Sequence, residues 1–213
     1  MEESALFDAL DMSSTQAIFG PPGSGAFAYG GNLNIVGTPI EKYSSPADVQ
    51  ENMPFNVGSG GGSRSIILAK SNYVGVADAR CKKQHCQFNG DDFNYDGNGM
   101  LYNISSVKIR DVFDGTSQTF FVGEGTGDLE SKLHFMWATA CVTDMKYGIN
   151  GTCSIPGDGT YCWDTGNGFS SYHPGGAQFI MVDDSGHFIS ENTSQFILEA
   201  YRTRAGGETV EGL

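Results

Sequence analysis

The chain has 213 residues, a formal net charge of −13 and 30 glycines, so Gly is about twice its usual share of roughly 7%. Aromatic residues make up 12%, which excludes a disordered chain, and no basic run offsets the acidity to hold a phosphate backbone, which excludes nucleic acid as a partner. Low charge (17%) with abundant Gly and Asn favours a loop-rich β protein, and no stretch of 18 apolar residues is present to span a membrane.

In chain order, residues 1–12 predict a short amphipathic helix. Leu6, Phe7 and Leu10 fall at helical spacing behind Glu2 and Glu3. Residues 13–64 have little periodicity, and GPPGSG (20–25) and GSGGGS (58–63) read as turns or surface loops. From residue 65 the pattern tightens. SIILA (65–69), NYVGVA (72–77), SVKIR (106–110), TFFVGE (119–124) and HFMWATACV (134–142) predict strands by their β-branched and aromatic content. QFIMV (178–182) and HFIS (187–190) flank Asp183-Asp184-Ser185-Gly186, a hairpin signal. A last helix is expected behind an Asn192 or Thr193 cap, with Phe196, Ile197, Ala200 and Tyr201 as its apolar stripe and Gly206-Gly207 as its stop. The expected class is α+β, dominated by an antiparallel sheet, with short helices and long Gly-rich loops. A loop-rich part over 1–64 and a β-rich core over 65–213 form one domain in this reading.

Cys81 and Cys86 flank a hairpin-sized loop, and Cys153 and Cys162 bracket a second loop rich in Gly. Such small loops suit disulfides in an exported protein. Zinc, with His85 helping, is the alternative, although no C-x2-C pair occurs. With Cys141 the count is odd, so one thiol is free or pairs outside the chain.

Asp92, Asn94 and Asp96 alternate before Gly97, which is the front half of a calcium loop. Hard Ca²⁺ takes oxygen ligands from such a turn, and Asn98 can add its carbonyl. Asn103 stands where a bidentate Glu would close the loop, so the expected binding is weakened; the alternative is a solvated turn. Asn103, Asn150 and Asn192 begin N-x-Ser/Thr sequons, no more than chance supplies. Hydrolase signatures such as G-x-S-x-G and H-E-x-x-H are missing. Asp183 and Asp184 are adjacent, and neighbouring strand residues point to opposite faces, a poor arrangement for paired carboxylate chemistry.

The segment FSSYHPGGAQFIMVDDSGHFISENTS (169–194) with AYRTRAGGETV (200–210) resembles the C-terminal signature of the planctomycete-type, prepilin-like DUF1559 family, marked by H-x9-D-G. Here His173 and Asp183 keep the spacing, and Asp184 replaces the Gly. Asp114-Gly115-Thr116-Ser117 followed by a strand ending in Gly123-Glu124 is similar to the family's other hallmark. The resemblance implies a pilin-like or pseudopilin-like head, exported to the cell surface and assembling with copies of itself. It also implies a membrane helix upstream of Met1, so that Met1 is an internal residue. His173, Asp183, Asp114 and Gly115 are expected to define turns rather than to catalyse. Calcium is the expected cofactor, since pseudopilin heads often hold it. The competing reading is a surface module that binds glycans or another solute through its Trp and Tyr residues. In the hairpin, Asp184 is expected to tolerate positive φ while Gly186 takes the remaining strain.

Overall fold

Strand formation follows the alternation of the sequence. The computed structural model describes residues 4–9, 35, 37–48, 54–57, 64–67, 69–76, 98–101, 106–126, 142–143, 148–151 and 169–208. Among the described residues there are seven strands: β1 (Pro54–Val57), β2 (Arg64–Ile67), β3 (Tyr73–Val76), β4 (Phe120–Glu124), β5 (Val142–Thr143), β6 (Gly176–Met181) and β7 (Gly186–Ser190). Helix α1 spans Ser4–Ala9 and α2 spans Gln195–Tyr201. β1 and β2 pair as an antiparallel ribbon, and the other five strands form one sheet in the order β5-β3-β4-β6-β7. Every neighbouring pair in that sheet is antiparallel except β3 and β5. The α+β class and the antiparallel dominance expected from composition are therefore present.

One face of the sheet makes the core. Val74 and Val76 of β3, Phe120 of β4, Ala177, Phe179 and Met181 of β6 and Ile189 of β7 are buried together, at the period of two that a half-buried strand requires. Leu198 and Tyr201 of α2 close this layer, with Phe169 and Ile149 beside them. Phe179 sits at the centre, its ring 4.6 Å from that of Phe120 and 4.9 Å from that of Phe169.

Several local expectations are corrected. SVKIR is not a strand: Ile109–Asp111 is a 3₁₀ turn, and Asp111 Oδ2 accepts a hydrogen bond from Lys108 N at 3.0 Å. The side chain offers the backbone a local partner, and Ile109, 69% exposed, gains nothing from burial there. Ser194, rather than Asn192 or Thr193, caps α2, its hydroxyl accepting from Ile197 N. The buried side of α2 is Leu198, Ala200 and Tyr201, while Phe196 is 63% exposed. The helix ends at Tyr201 rather than near Gly206, because the chain beyond it is drawn onto Asp114. β1 lies in the stretch read as aperiodic. Of HFMWATACV only Val142, in β5, lies within the described residues.

The β6–β7 hairpin turns at Val182-Asp183-Asp184. Asp184 N donates to Met181 O at 3.1 Å and Met181 N to Ser185 O at 2.9 Å, a three-residue loop whose last residue is left-handed. Asp184 carries φ 73° and Gly186 has no positive φ, so the strain is not shared as expected. A left-handed non-Gly residue costs about 1–2 kcal/mol, and Gly loses about 0.5–1 kcal/mol more backbone entropy on folding. Asp184→Gly is therefore expected to stabilise the chain by about 0.5–1 kcal/mol net. Equilibrium urea denaturation checks this, and a destabilised variant refutes it.

Candidate functional site

The expected motif residues gather at the two ends of β4. At its C-terminal end Glu124 is buried, with a side chain 3% exposed. Its Oε2 accepts from Gln178 N at 2.8 Å, and His173 Nε2 stands 3.4 Å from its Oε1. Backbone bonds frame the carboxylate, Ser170 N donating to Glu124 O and Gly125 N to Asn72 O. Tyr73, opposite Glu124 on β3, has its phenol pushed above the usual value, first by burial and then by the Glu124 charge. A tyrosine pKa raised on folding contributes stability that is present below the unfolded pKa near 10 and is lost as pH rises through the folded value. Alkaline unfolding above pH 10 should therefore track Tyr73 ionisation. Tyr73→Phe should flatten that limb of the stability curve, and an unchanged limb refutes the assignment.

At the N-terminal end of β4, Asp114 and Gly115 open a tight turn. Gly115 adopts φ 101°, a conformation that suits Gly, and the 3₁₀ turn Thr116–Gln118 follows. The hairpin tip docks here: Asp183 N donates to Thr116 O at 3.1 Å and Val182 N to Thr119 O at 3.0 Å. The H-x9-D spacing is thus a measure of β6. It carries the chain from His173, beside the end of β4, to Asp183, beside its beginning.

The Asp114 carboxylate holds the chain after α2. Oδ2 accepts from Gly206 N at 2.6 Å and Oδ1 from Gly207 N at 3.0 Å, while Arg204 O accepts from Phe113 N and Asp114 N. Arg204 then reaches the segment that follows the expected calcium loop: its N–H donates to Asn98 O at 2.8 Å and its Nη1 to Gly99 O at 2.6 Å. Of the candidate calcium ligands only Asn98 is within the described residues; Asp92, Asn94, Asp96 and Asn103 lie outside them. The carbonyl that Asn98 would lend to a metal already accepts one hydrogen bond. Among the described residues no group of three His, Cys, Asp or Glu side chains is placed to hold a metal ion. Cys81, Cys86, Cys153 and Cys162 also lie outside the described residues.

Asn150 is a structural residue of its turn. At φ 55°, it donates from Nδ2 to Glu191 Oε2 at 2.8 Å and accepts at Oδ1 from Ser171 N at 3.0 Å. Asn192 is exposed in the turn between β7 and α2.

At the hairpin tip, Ser185 Oγ donates to Asp183 Oδ1 at 2.6 Å and lies 3.1 Å from His187 Nε2. The Ser185 bonds, side chain first, hold the Asp183 carboxyl below its usual range. The order Asp–Ser–His is not that of a hydrolytic triad, in which His separates Ser from Asp. The Ser185 proton is committed to the carboxylate, so the imidazole cannot take it.

A second buried group, which no sequence motif marks, lies between residues 43–48 and the start of β3. Lys70 Nζ pairs with Asp48 Oδ2 at 3.2 Å, and Asn72 Nδ2 donates to Asp48 Oδ2 at 2.6 Å. Asn72 Oδ1 accepts from Ser45 N, binding residues 43–48 to the start of β3. The only sequence cue was a polar Lys-Ser-Asn run entering an apolar strand. Glu124 had a similar cue: a carboxylate ending an otherwise apolar strand. Glu124→Ala is expected to cost about 1–3 kcal/mol, because the Gln178 N–H loses its acceptor. Glu124→Gln, which retains one, should lose less than half of that in denaturant melts, and equal losses refute the assignment.

A family model described as a protein of unknown function (DUF1559) matches residues 1–195. No curated protein and no solved structure matches the chain.

Proposed function

The chain belongs to the DUF1559 family, and from that premise we propose that it is a non-enzymatic structural subunit: the head of a pilin-like or pseudopilin-like protein that assembles with its own copies outside the cell. One observation carries this reading. The polar groups of the family motifs are used in holding the chain: His173 contacts Glu124, Asp114 clasps the C-terminal segment, and Asp183 sets the hairpin turn. Residues recruited in this way serve a scaffold better than a reacting centre. Among the described residues no helix is long and apolar enough to cross a membrane.

Electron microscopy of native surface material, with antibody against this chain, tests the proposal. Labelled filaments or a labelled layer are expected, and a purified full-length protein that stays monomeric at all concentrations overturns it. Calcium at residues 92–103 belongs to the same reading as an accessory. A metal bound only by the folded chain raises its melting temperature by mass action. A rise with millimolar calcium that is lost in Asp92→Ala is expected, and no rise removes the site.

A further inference from the structure

β7 is the last strand of its sheet, and among the described residues nothing pairs with its outer edge. Native proteins protect such edges with Lys, Pro or a bulge. β7 (Gly-His-Phe-Ile-Ser) has no Lys and no Pro, and it keeps unbroken register with β6 over five residues. Its backbone direction follows from two hydrogen bonds. Glu191 N donates to Gly175 O and Met181 N to Ser185 O, so the odd-numbered residues turn towards β6. Gly186, Phe188 and Ser190 therefore turn both N–H and C=O away from the sheet. Phe188, on the face opposite the core, is 49% exposed.

The geometry points to pairing of β7 with the β7 strand of a second copy, antiparallel and two-fold symmetric about Phe188. Charge selects the occupant and the register. The chain carries −13, yet residues 186–190 contain no acid, while Asp183, Asp184 and Glu191 flank them. This is a neutral strip on which two acidic copies can meet. Centred on Phe188, the register sets Gly186 against the partner's Ser190, Ser185 against the partner's Glu191 and Asp184 against the partner's Asn192. No like charges are opposed. A register centred on His187 would place Glu191 against the partner's Asp183, a destabilising pair. The Phe188-centred register also matches the hydrogen-bonding direction: Phe188 exchanges two backbone bonds with its symmetry mate, and each Gly186 exchanges two with the partner's Ser190. Closure about a two-fold axis leaves no further β7 edge exposed.

This pairing deepens the proposed self-assembly and rests on it. The test is sedimentation velocity of the 213-residue chain across a concentration series, with a disulfide trap alongside. A dimer is expected, tightening with added salt as the repulsion between acidic copies is screened. Phe188→Glu opposes two carboxylates in the pair and is expected to weaken dimerisation at least tenfold. Phe196→Glu, on the still more exposed Phe196 of α2, should leave it unchanged. Phe188→Cys should form an interchain disulfide, since hydrogen-bonded antiparallel partners lie about 5.5 Å apart between Cα atoms; Phe196→Cys should not. Melting of each variant within about 2 °C of the parent shows that the fold is kept. If the parent dimerises and Phe188→Glu dimerises as well, edge pairing is wrong while self-assembly stands. If the parent is monomeric throughout, edge pairing is wrong, and self-assembly then stands or falls on the labelled native material.

Discussion

Phe179→Ala is expected to lower stability by about 3–5 kcal/mol, the range for removing a buried aromatic ring. Phe179 is 1% exposed and lies between two rings, Phe120 at 4.6 Å and Phe169 at 4.9 Å. Phe120 in turn touches Tyr201 of α2 at 5.5 Å, so the ring joins the sheet to the helix and to the 169–175 segment. The cavity cannot easily collapse, because strand neighbours on both sides fix the backbone of β6. The same crowding explains Gly123. A methyl group there would overlap the rings of both Phe169 and Phe179, so Gly123→Ala should also destabilise, by about 1–3 kcal/mol as overpacking does. Combined, the two changes should be less harmful than their sum, since the added methyl enters the space that the ring vacates. Chemical denaturation of the two single variants and the double variant reads this coupling. A Phe179→Ala loss below about 1.5 kcal/mol, or strict additivity, would refute the packing assigned to this layer.

The parts of this fold that were legible in the sequence are those where period-two alternation and turn chemistry agree. β6 and β7 were visible because Gln-Phe-Ile-Met and His-Phe-Ile-Ser flank an Asp-Asp-Ser-Gly turn, and β4 because Phe-Phe-Val-Gly-Glu follows Asp-Gly-Thr-Ser. What was illegible depended on the tertiary partner. Val107-Lys108-Ile109 has strand composition but, among the described residues, no strand pairs with it, and Asp111 captures its backbone. In the seven residues of α2, Ala200 and Tyr201 are buried as the expected stripe had them, and contact with the sheet core selects Leu198 over Phe196. The candidate site was half legible. His173, Asp183 and Glu124 were marked by the family resemblance, whereas the burial of Glu124 and the whole Asp48–Lys70 pair depend on the segments that fold over them. The H-x9-D interval also changes in meaning. As a sequence pattern it is a label; in the structure it is the length of one strand with its two turns, fixed at both ends against β4.

Asp114→Ala is expected to cost about 2–4 kcal/mol although the residue is only partly buried. The carboxylate receives the N–H groups of Gly206 and Gly207, two donors from one short segment. Hydrogen bonds to a charged acceptor contribute about 1.5–3 kcal/mol each, and partial exposure together with shared geometry keeps the sum below two full bonds. Gly207, at φ 76°, is held in a left-handed conformation that presents its N–H to the carboxylate. Without that anchor the segment loses its reason to stay, and Arg204 with it. The Arg204 bonds to Asn98 O and Gly99 O then weaken, although both lie more than 100 residues away in sequence. Asp114→Asn is a demanding control. It preserves shape and one acceptor, but sets an amide N–H₂ against a backbone donor, so it should lose nearly as much as Ala. With about 2–4 °C of melting temperature per kcal/mol at this chain length, a drop of roughly 5–15 °C is expected. Amide exchange at Gly206 and Gly207 should accelerate well beyond that at Val74 or Phe179, which exchange only through larger openings. A melting shift under about 1 °C, or exchange that accelerates uniformly, would show that the C-terminal segment is held by its backbone bonds to Phe113 and Asp114 and not by the carboxylate.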